Sequence, residues 1–306
     1  VADENLLRVS IVIPTWNRIA KLTRLLDSIE LNTLGPESRE TIVIADNCSD
    51  GTLEVLASRH QTVQVLHAPP SESGRLSGCA LPRQMGSEMA RAPFICFIDD
   101  DNIIDHNMLE VLVTALENDP SLGAVGPLMY RWPEEDELWC AGAIVTRHHF
   151  LTHLISDAAL QGADEHGLLP PCDYLPNVFC TRRTTMESVP FDFRSFPHNG
   201  SEVDWALHLK SAGYQIRVST LTRTLHDVGY GGLTTRISEP ELVFDQARAR
   251  VRLRRRHRDV FGSPVTFWFF WFPIIWTYLN YRFLQSHHGL KMNRSFLRGT
   301  LEGMKG

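Results

Sequence analysis

Short apolar runs punctuate the first half of the chain, and amphipathic stretches fill the intervals between them. Arg8 to Pro14 (RVSIVIP), Thr41 to Ala45, Val63 to Leu66 and Phe94 to Ile98 are rich in β-branched or aromatic residues, so each reads as a buried strand. Between them Leu22, Leu25, Leu26 and Ile29 recur at helical spacing, and a helix is predicted over Pro82 to Ala90. Met108, Leu109, Leu112, Val113 and Leu116 line one face of a further helix, with Asp105 expected as its N-cap. The stretch Asp46 to Thr52 is dense in turn formers, and Pro69 to Gly78 reads as a looser loop. Strand and helix alternate, which predicts an α/β fold with a mostly parallel, Rossmann-like sheet and helices on both faces. Pro127 to Phe150 is expected to complete the sheet, with one more strand near Ile216 to Val218.

Chemistry concentrates where the fourth apolar run ends, at Asp99-Asp100-Asp101-Asn102. Three neighbouring acids cannot be buried without a counter-charge, because repulsion adds to the desolvation cost. Hard oxygen donors suit Mn²⁺ or Mg²⁺, and ligands of open α/β sheets gather at the carboxyl ends of strands. There is neither a GxGxxG nor a GxxxxGK[ST] motif, which disfavours dinucleotide and Walker-type phosphate sites.

Composition adds two constraints. The net charge of −6 gives no nucleic-acid signature, so no nucleic-acid partner is expected. Six cysteines form no CxxC pair and read as reduced thiols of a cytoplasmic protein; no basic-then-apolar leader opens the sequence, which speaks against secretion.

VSIVIPTWNR, IVIADNCSDGT, ALPRQMGSEMA and FICFIDDDN occur in that order over about the first 130 residues. Together they resemble the nucleotide-sugar half of a family 2 glycosyltransferase with the GT-A fold. The resemblance implies a UDP- or dTDP-linked sugar donor, with Pro14, Thr15, Asn17 and Arg18 along the nucleoside. Asp46 would accept a hydrogen bond from the pyrimidine N3–H, and Arg83 would stack on or bond the base. Gln84 stands where the family has asparagine. Asp100 would lie near the ribose and Asp101 would hold the metal; Asp99 fits the first acid of the DxD pattern, as nucleotide or metal contact.

The second half carries Asn177 to Arg183, Phe191-Asp192 and Gly200-Ser201-Glu202-Val203-Asp204-Trp205, similar to the family's acceptor half. Inverting transfer needs a base for the acceptor hydroxyl. Ser201-x-x-Asp204 has the capping-box pattern, with Gly213 as terminator, so Asp204 is expected at the helix-start amides in a supporting role and Glu202 as the base. His226, in a glycine-rich stretch, stands where related enzymes carry a histidine approaching the metal or diphosphate. Trp132, Trp139 and Trp205 are available for sugar stacking or for packing.

From Arg248 the chain turns basic, and Val265 to Trp276 is aromatic. The uncharged run is shorter than the ~20 residues a membrane span needs, and Pro273 interrupts it. Two readings remain: helices of 248–284 at a membrane interface, or a basic helix followed by an apolar one packed on the catalytic domain or across a homodimer. Phe296 to Gly303 resembles the tail of rhamnosyltransferase-like bacterial members of the family.

These readings divide the chain into a nucleotide-sugar-binding half (1–130), an acceptor-binding and catalytic-base half (131–235) and a C-terminal helical extension (236–306). The expected activity is metal-dependent, inverting transfer of one sugar to a hydroxyl of a saccharide, glycolipid or polyprenyl-linked acceptor. The expected setting is surface polysaccharide or glycolipid synthesis at the inner face of the membrane. A sugar nucleotidyltransferase and a non-catalytic nucleotide-binding scaffold on the same fold are the alternatives.

Overall fold

The computed structural model describes residues 7–69, 78–146, 150–228, 238–262, 268 and 289–305. Most of the loop expected at Pro69 to Gly78, the glycines after His226 and nearly all of the aromatic run lie outside the described residues.

Four parallel strands, β1 (Val9–Thr15), β2 (Arg39–Ala45), β3 (Gln64–His67) and β4 (Phe94–Ile98), stand in the order β3-β2-β1-β4. Beyond β4 the sheet becomes mixed. The strand β10 (Val178–Arg182) inserts antiparallel between β4 and β6 (Leu122–Arg131), β11 (Gln215–His226) runs parallel to β6, and β5 (Asn102–Ile104) closes the edge antiparallel to β11. With β7 (Leu138–Cys140) paired to β6, the described sheet has nine strands and runs straight through residue 130. The expectation that Pro127 to Phe150 completes the sheet is therefore corrected in part: β8 (Ala143–Thr146) and β9 (Phe150–His153) form a separate two-stranded sheet. The strand expected near Ile216 to Val218 is longer, and its far end delivers His226.

Continuous apolar runs make these strands because both faces are covered. Along β4, Phe94, Cys96 and Ile98 enter one core, and Ile95 and Phe97 enter the other. The first core takes Leu22, Leu25, Leu26 and Ile29 of α1 (Ile19–Glu30), Leu56 of α2 (Thr52–Arg59), and Leu109, Leu112 and Leu116 of α4 (Met108–Asn118). Against the second pack α3 (Ala80–Met89), α5 (Arg183–Ser188) and α6 (Ser201–Ser211). The glycine of ALPRQMG has a packing reason: a Cβ at Gly86 would collide with the side chains of Val12 and Ile44, so α3 lies close on the sheet only because position 86 has none.

Two caps differ from expectation. Asn107, not Asp105, occupies the N-cap of α4 and makes no side-chain cap bond; the Asp105 carboxylate instead faces Arg223 Nε at 3.7 Å. Gly200, with φ of 87°, is the N-cap of α6, so Ser201 is already helical and no Ser201/Asp204 capping box forms. Gly213 does follow the helix in a left-handed conformation, as a terminator requires.

The C-terminal helices are α7 (Glu239–Arg256), α8 (Arg258–Phe261) and α9 (Gly289–Lys305). Ser238 and Glu241 form a capping box on α7. Val243, Ala247 and Val251 of α7 pack against Met292 and Phe296 of α9, while Ala249 and Leu253 join the second core. Among the described residues no helix is long and apolar enough to cross a membrane.

Glu40, buried on β2, accepts from Ser10 Oγ at 2.6 Å, Arg91 N at 2.8 Å, Arg91 Nε at 2.9 Å and Gln64 Nε2 at 3.0 Å. Burial alone would raise its pKa, but these bonds together hold it below the ordinary glutamate value. Its stabilisation is therefore complete above the unfolded-state pKa and is lost as pH falls through the folded one. Glu40→Gln should cost about 1–3 kcal/mol at neutral pH. Urea denaturation of both proteins should show the difference shrinking below pH ~4.5.

Candidate active site

The carboxyl ends of β1, β2 and β4 open onto a cleft of about 220 Å³ lined by Pro14, Thr15, Arg18, Asp46 and the acids Asp99, Asp100 and Asp101. Gly78, Cys79 and Pro82 at the α3 start, together with Trp16, complete its wall, and none of these four was singled out from the sequence as a site residue. Asn17 does not line it. With φ of 47°, Asn17 staples the loop after β1 to the loop after β2, accepting from Ser49 N at 2.7 Å. The Asp46 amide donates to Thr15 O at 2.9 Å, which seats that buried acid beside the end of β1.

The three consecutive acids have three different environments. Asp99 meets the guanidinium of Arg83 at 2.5 Å. Burial outweighs that cation, and the Asp99 pKa stays above the usual aspartate range. Asp100 accepts from Thr15 Oγ1 at 2.7 Å and from Arg18 at 2.9 Å, yet burial pushes it up to about 6. Asp101 receives the same Arg18 nitrogen at 2.8 Å. There burial is outweighed by the hydrogen bond and charge of His226, with Arg18 and Lys21 adding to them, and the pKa falls below the usual value. A pairing of backbone directions at a strand end thus separates three identical side chains.

His226 and Asp101 are brought together, Nε2 to Oδ1 at 3.6 Å. The contact is fixed from several sides. The Asp227 amide donates to Asp101 O at 2.9 Å, and Lys21 and Arg24 of α1 hold the Asp227 carboxylate at 3.1 and 2.5 Å. The Asn177 amide nitrogen lies 3.0 Å from His226 Nε2, and the Trp139 ring packs edge-on against the imidazole at 4.5 Å between centroids. A carboxylate oxygen and an imidazole nitrogen at this spacing suit one shared divalent cation. Asp99, turned toward Arg83, is not part of that pair.

Arg83 is the other organising group, and its side chain is fully buried. It is ion-paired to Asp99 on one nitrogen and to Glu202 on another, and the two acids raise its pKa well above the ordinary value despite burial. This placement departs from the base-stacking position expected of it: Arg83 lies behind the cleft, not along its lining. Glu202, next to the N-cap of α6, is thereby brought to the same cation as the first acid of β4.

Asp204, one turn-face away, points elsewhere. It is buried and joins α6 to α7, with His257 Nε2 at 2.8 Å from Oδ1, Arg256 at 2.7 Å from Oδ2 and His208 Nδ1 at 3.6 Å from Oδ2. Asp204, His208 and His257 are also spaced as a cation could require. The Arg256 guanidinium already occupies the carboxylate, so the geometry is that of an anchor between helices. Trp205 packs in the core against Phe179 and Phe191 and donates to Val189 O at 2.8 Å; Trp139 packs its ring on His226, and Trp132 meets that histidine through its backbone N, 3.0 Å from His226 O.

Residues 10–160 match the model of glycosyl transferase family 2. Over 91 residues the chain is 33% identical to validoxylamine A glucosyltransferase of Streptomyces hygroscopicus subsp. limoneus, covering 30% of this chain and 20% of that protein. Over 107 residues it is 31% identical to the poly(ribitol-phosphate) β-N-acetylglucosaminyltransferase TarP of Staphylococcus aureus (strain N315), covering 34% and 32%. The matched stretches thus span a fifth to a third of these relatives' own lengths. Among solved structures, GalNAc-T7 with UDP, GalNAc and Mn²⁺ superposes with a TM-score of 0.63 at 16% identity, over 83% of this chain and 48% of that one. S. aureus TarS 1-349 in complex with UDP gives 0.56 at 15% identity, over 85% and 68%. Residues 10–160 are thus a glycosyl transferase family 2 domain, and the sheet that they open has the GT-A fold of these neighbours.

Proposed function

We propose that the chain is a metal-dependent, inverting glycosyltransferase that moves one sugar from a UDP- or dTDP-sugar to a hydroxyl acceptor. The observation that carries this reading is the convergence of Asp99, at the end of β4, and Glu202 on one buried cation, Arg83, beside the cleft that Asp100 and Asp101 also line. A donor bound at the strand tips would then have the base within the same site. Support also comes from the relatives, which are glycosyltransferases, and from structural neighbours solved with UDP or Mn²⁺. A mannosyltransferase from Pyrobaculum calidifontis of the same fold holds GDP-Man and Mn²⁺, so the purine donor is the competitor that a test must include.

In this reading Pro14, Thr15 and Arg18 border the nucleoside and Asp46 accepts from its base, with Asn17 holding the loop that carries them. Asp101 and His226 would hold a divalent cation, which would neutralise charge on the departing diphosphate. Glu202 takes the proton of the acceptor hydroxyl as that oxygen attacks the anomeric carbon from the face opposite the diphosphate. Arg83 aims the Glu202 carboxylate, and Asp204 fixes the helix that bears it. Surface polysaccharide or glycolipid synthesis is the proposed setting, with peripheral membrane contact through 248–284 on the cytoplasmic side.

Glu202→Gln should lower transfer at least ~100-fold while donor binding persists. The paired measurements are release of nucleoside diphosphate and nucleotide-induced thermal shift; full activity in that variant removes Glu202 from the base role. Release of pyrophosphate instead would identify a nucleotidyltransferase. Chelation should stop turnover and Mn²⁺ or Mg²⁺ should restore it, and a thermal-shift panel of UDP-, dTDP- and GDP-sugars should single out a pyrimidine donor. Arg83→Gln leaves two acids without their shared cation and should destabilise the fold by about 3–5 kcal/mol in urea denaturation.

A further inference from the structure

The helix α9 has an inner and an outer face. On the inner face Gly299 and Gly303 lie directly against the α7 backbone, where a Cβ would strike Phe244 O and Arg248 O, so the two helices form one closely packed unit. On the outer face Leu297, Leu301 and Met304 are 43%, 58% and 40% exposed, at spacings that place them in one stripe. Lys291, Arg294, Arg298 and Lys305 are exposed on the same side, and the single acid of the helix, Glu302, is paired to Lys305 at 3.2 Å.

Next to the stripe a groove of about 430 Å³ opens between the helices, bordered by Phe244, Arg248, Arg298, Leu301, Glu302 and Lys305. Arg248 and Arg298 stand over the Phe244 ring at 5.4 and 5.9 Å. Three of the six bordering residues are cationic, in a chain whose net charge is −6. Large aliphatic side chains in a row, interleaved with long basic ones, match the boundary of an anionic bilayer. The aliphatic groups reach the acyl region and the cations stay at the phosphates. A partner of like acidity to the rest of this chain would satisfy the charges but leave the stripe wet, and a neutral apolar partner would strand the charges.

We propose that the outward face of α9, with the groove it shares with α7, is a docking surface for a bilayer bearing anionic phospholipid headgroups. The apolar stripe enters the interface, and the exposed Arg294, Arg298 and Lys305 receive the phosphates, while Arg248 stays paired to Asp245 at 2.7 Å on the inner wall of the groove. This rests on the membrane contact proposed above and assigns it to a described face that includes residues beyond 284.

The test is flotation of the full chain with vesicles of phosphatidylcholine alone and of phosphatidylcholine mixed with phosphatidylglycerol. The chain should float with the mixed vesicles, more weakly as salt rises, and stay behind with phosphatidylcholine alone. Each near-surface cation multiplies affinity about fivefold, so the Arg298→Gln/Lys305→Gln double variant should lose about 25-fold. Leu297→Ser/Leu301→Ser should lose binding at equal charge, with the thermal transition of both variants confirming that they fold. No flotation with the mixed vesicles overturns the membrane contact itself, and equal flotation with both overturns its dependence on anionic headgroups. Undiminished binding by both double variants overturns its assignment to this face. Neither result touches the glycosyl-transfer reading, because nucleoside diphosphate release is measured without vesicles.

Discussion

One buried guanidinium sets the arrangement of the cleft. Arg83 sits in the second core with its side chain fully enclosed, and two acids from distant parts of the sequence close on it. A charge so placed is tolerable only with partners of opposite sign and good geometry. The requirement runs both ways: Asp99 at the β4 end and Glu202 at the α6 start could not approach one another without it. Its position depends in turn on Gly86, which lets α3 press onto β1 and β2, so a helix–sheet contact made by a missing side chain determines where two carboxylates meet. Packing and electrostatics are here the same constraint.

The neighbouring acids show how backbone geometry alone differentiates like residues. The chain turns just past the end of β4, so Asp99 reaches Arg83, Asp100 reaches Arg18 with Thr15, and Asp101 reaches His226 and the same Arg18. Burial penalises each charge, and what differs is the compensation. Asp101 receives enough to fall below the ordinary value, while Asp100 and Asp99 do not. The acid held most firmly as a carboxylate is thus the one beside His226, which is the property a cation ligand needs.

Much of this was readable before any coordinates. The first four strands and the apolar face of α4 are present in the sequence, because a strand buried on both faces needs an unbroken apolar run and a half-buried helix needs its stripe. The ordered motifs carried the family and the GT-A fold. What was misread depends on long-range partners. Asp105 has the composition of a cap, but Arg223 of β11 lies within reach of its carboxylate. Ser201-x-x-Asp204 fits a capping box by spacing, yet Gly200 takes the cap, and Asp204 finds His257 and Arg256, more than fifty residues later. Arg83 was identified as important, but its partners could not be, since nothing local distinguishes a guanidinium that stacks on a base from one that pairs with Glu202, 119 residues away. Antiparallel insertion of β10 between β4 and β6 is likewise invisible to periodicity, because its apolar run would serve a parallel strand equally well.

The basic segment after Arg248 shows why a charge run must be resolved face by face. Arg256 reaches inward and divides its fork between Asp204 at 2.7 Å and Asp192 at 2.8 Å, while Arg252 donates to Ser195 O at 2.7 Å. A lysine could meet one of those acids as a point charge but could not span both with a planar, preorganised set of donors. These arginines therefore secure α7 to the loop before α6, and through Asp204 to the helix that carries Glu202. Arg248 lies two turns earlier on α7 and faces the groove with α9 instead. Because Gly299 and Gly303 pack α9 directly on the α7 backbone, the outward cations and the inward ones belong to a single rigid pair of helices. The orientation of the exposed face relative to the cleft is then set by the same contacts that hold the helix bearing Glu202.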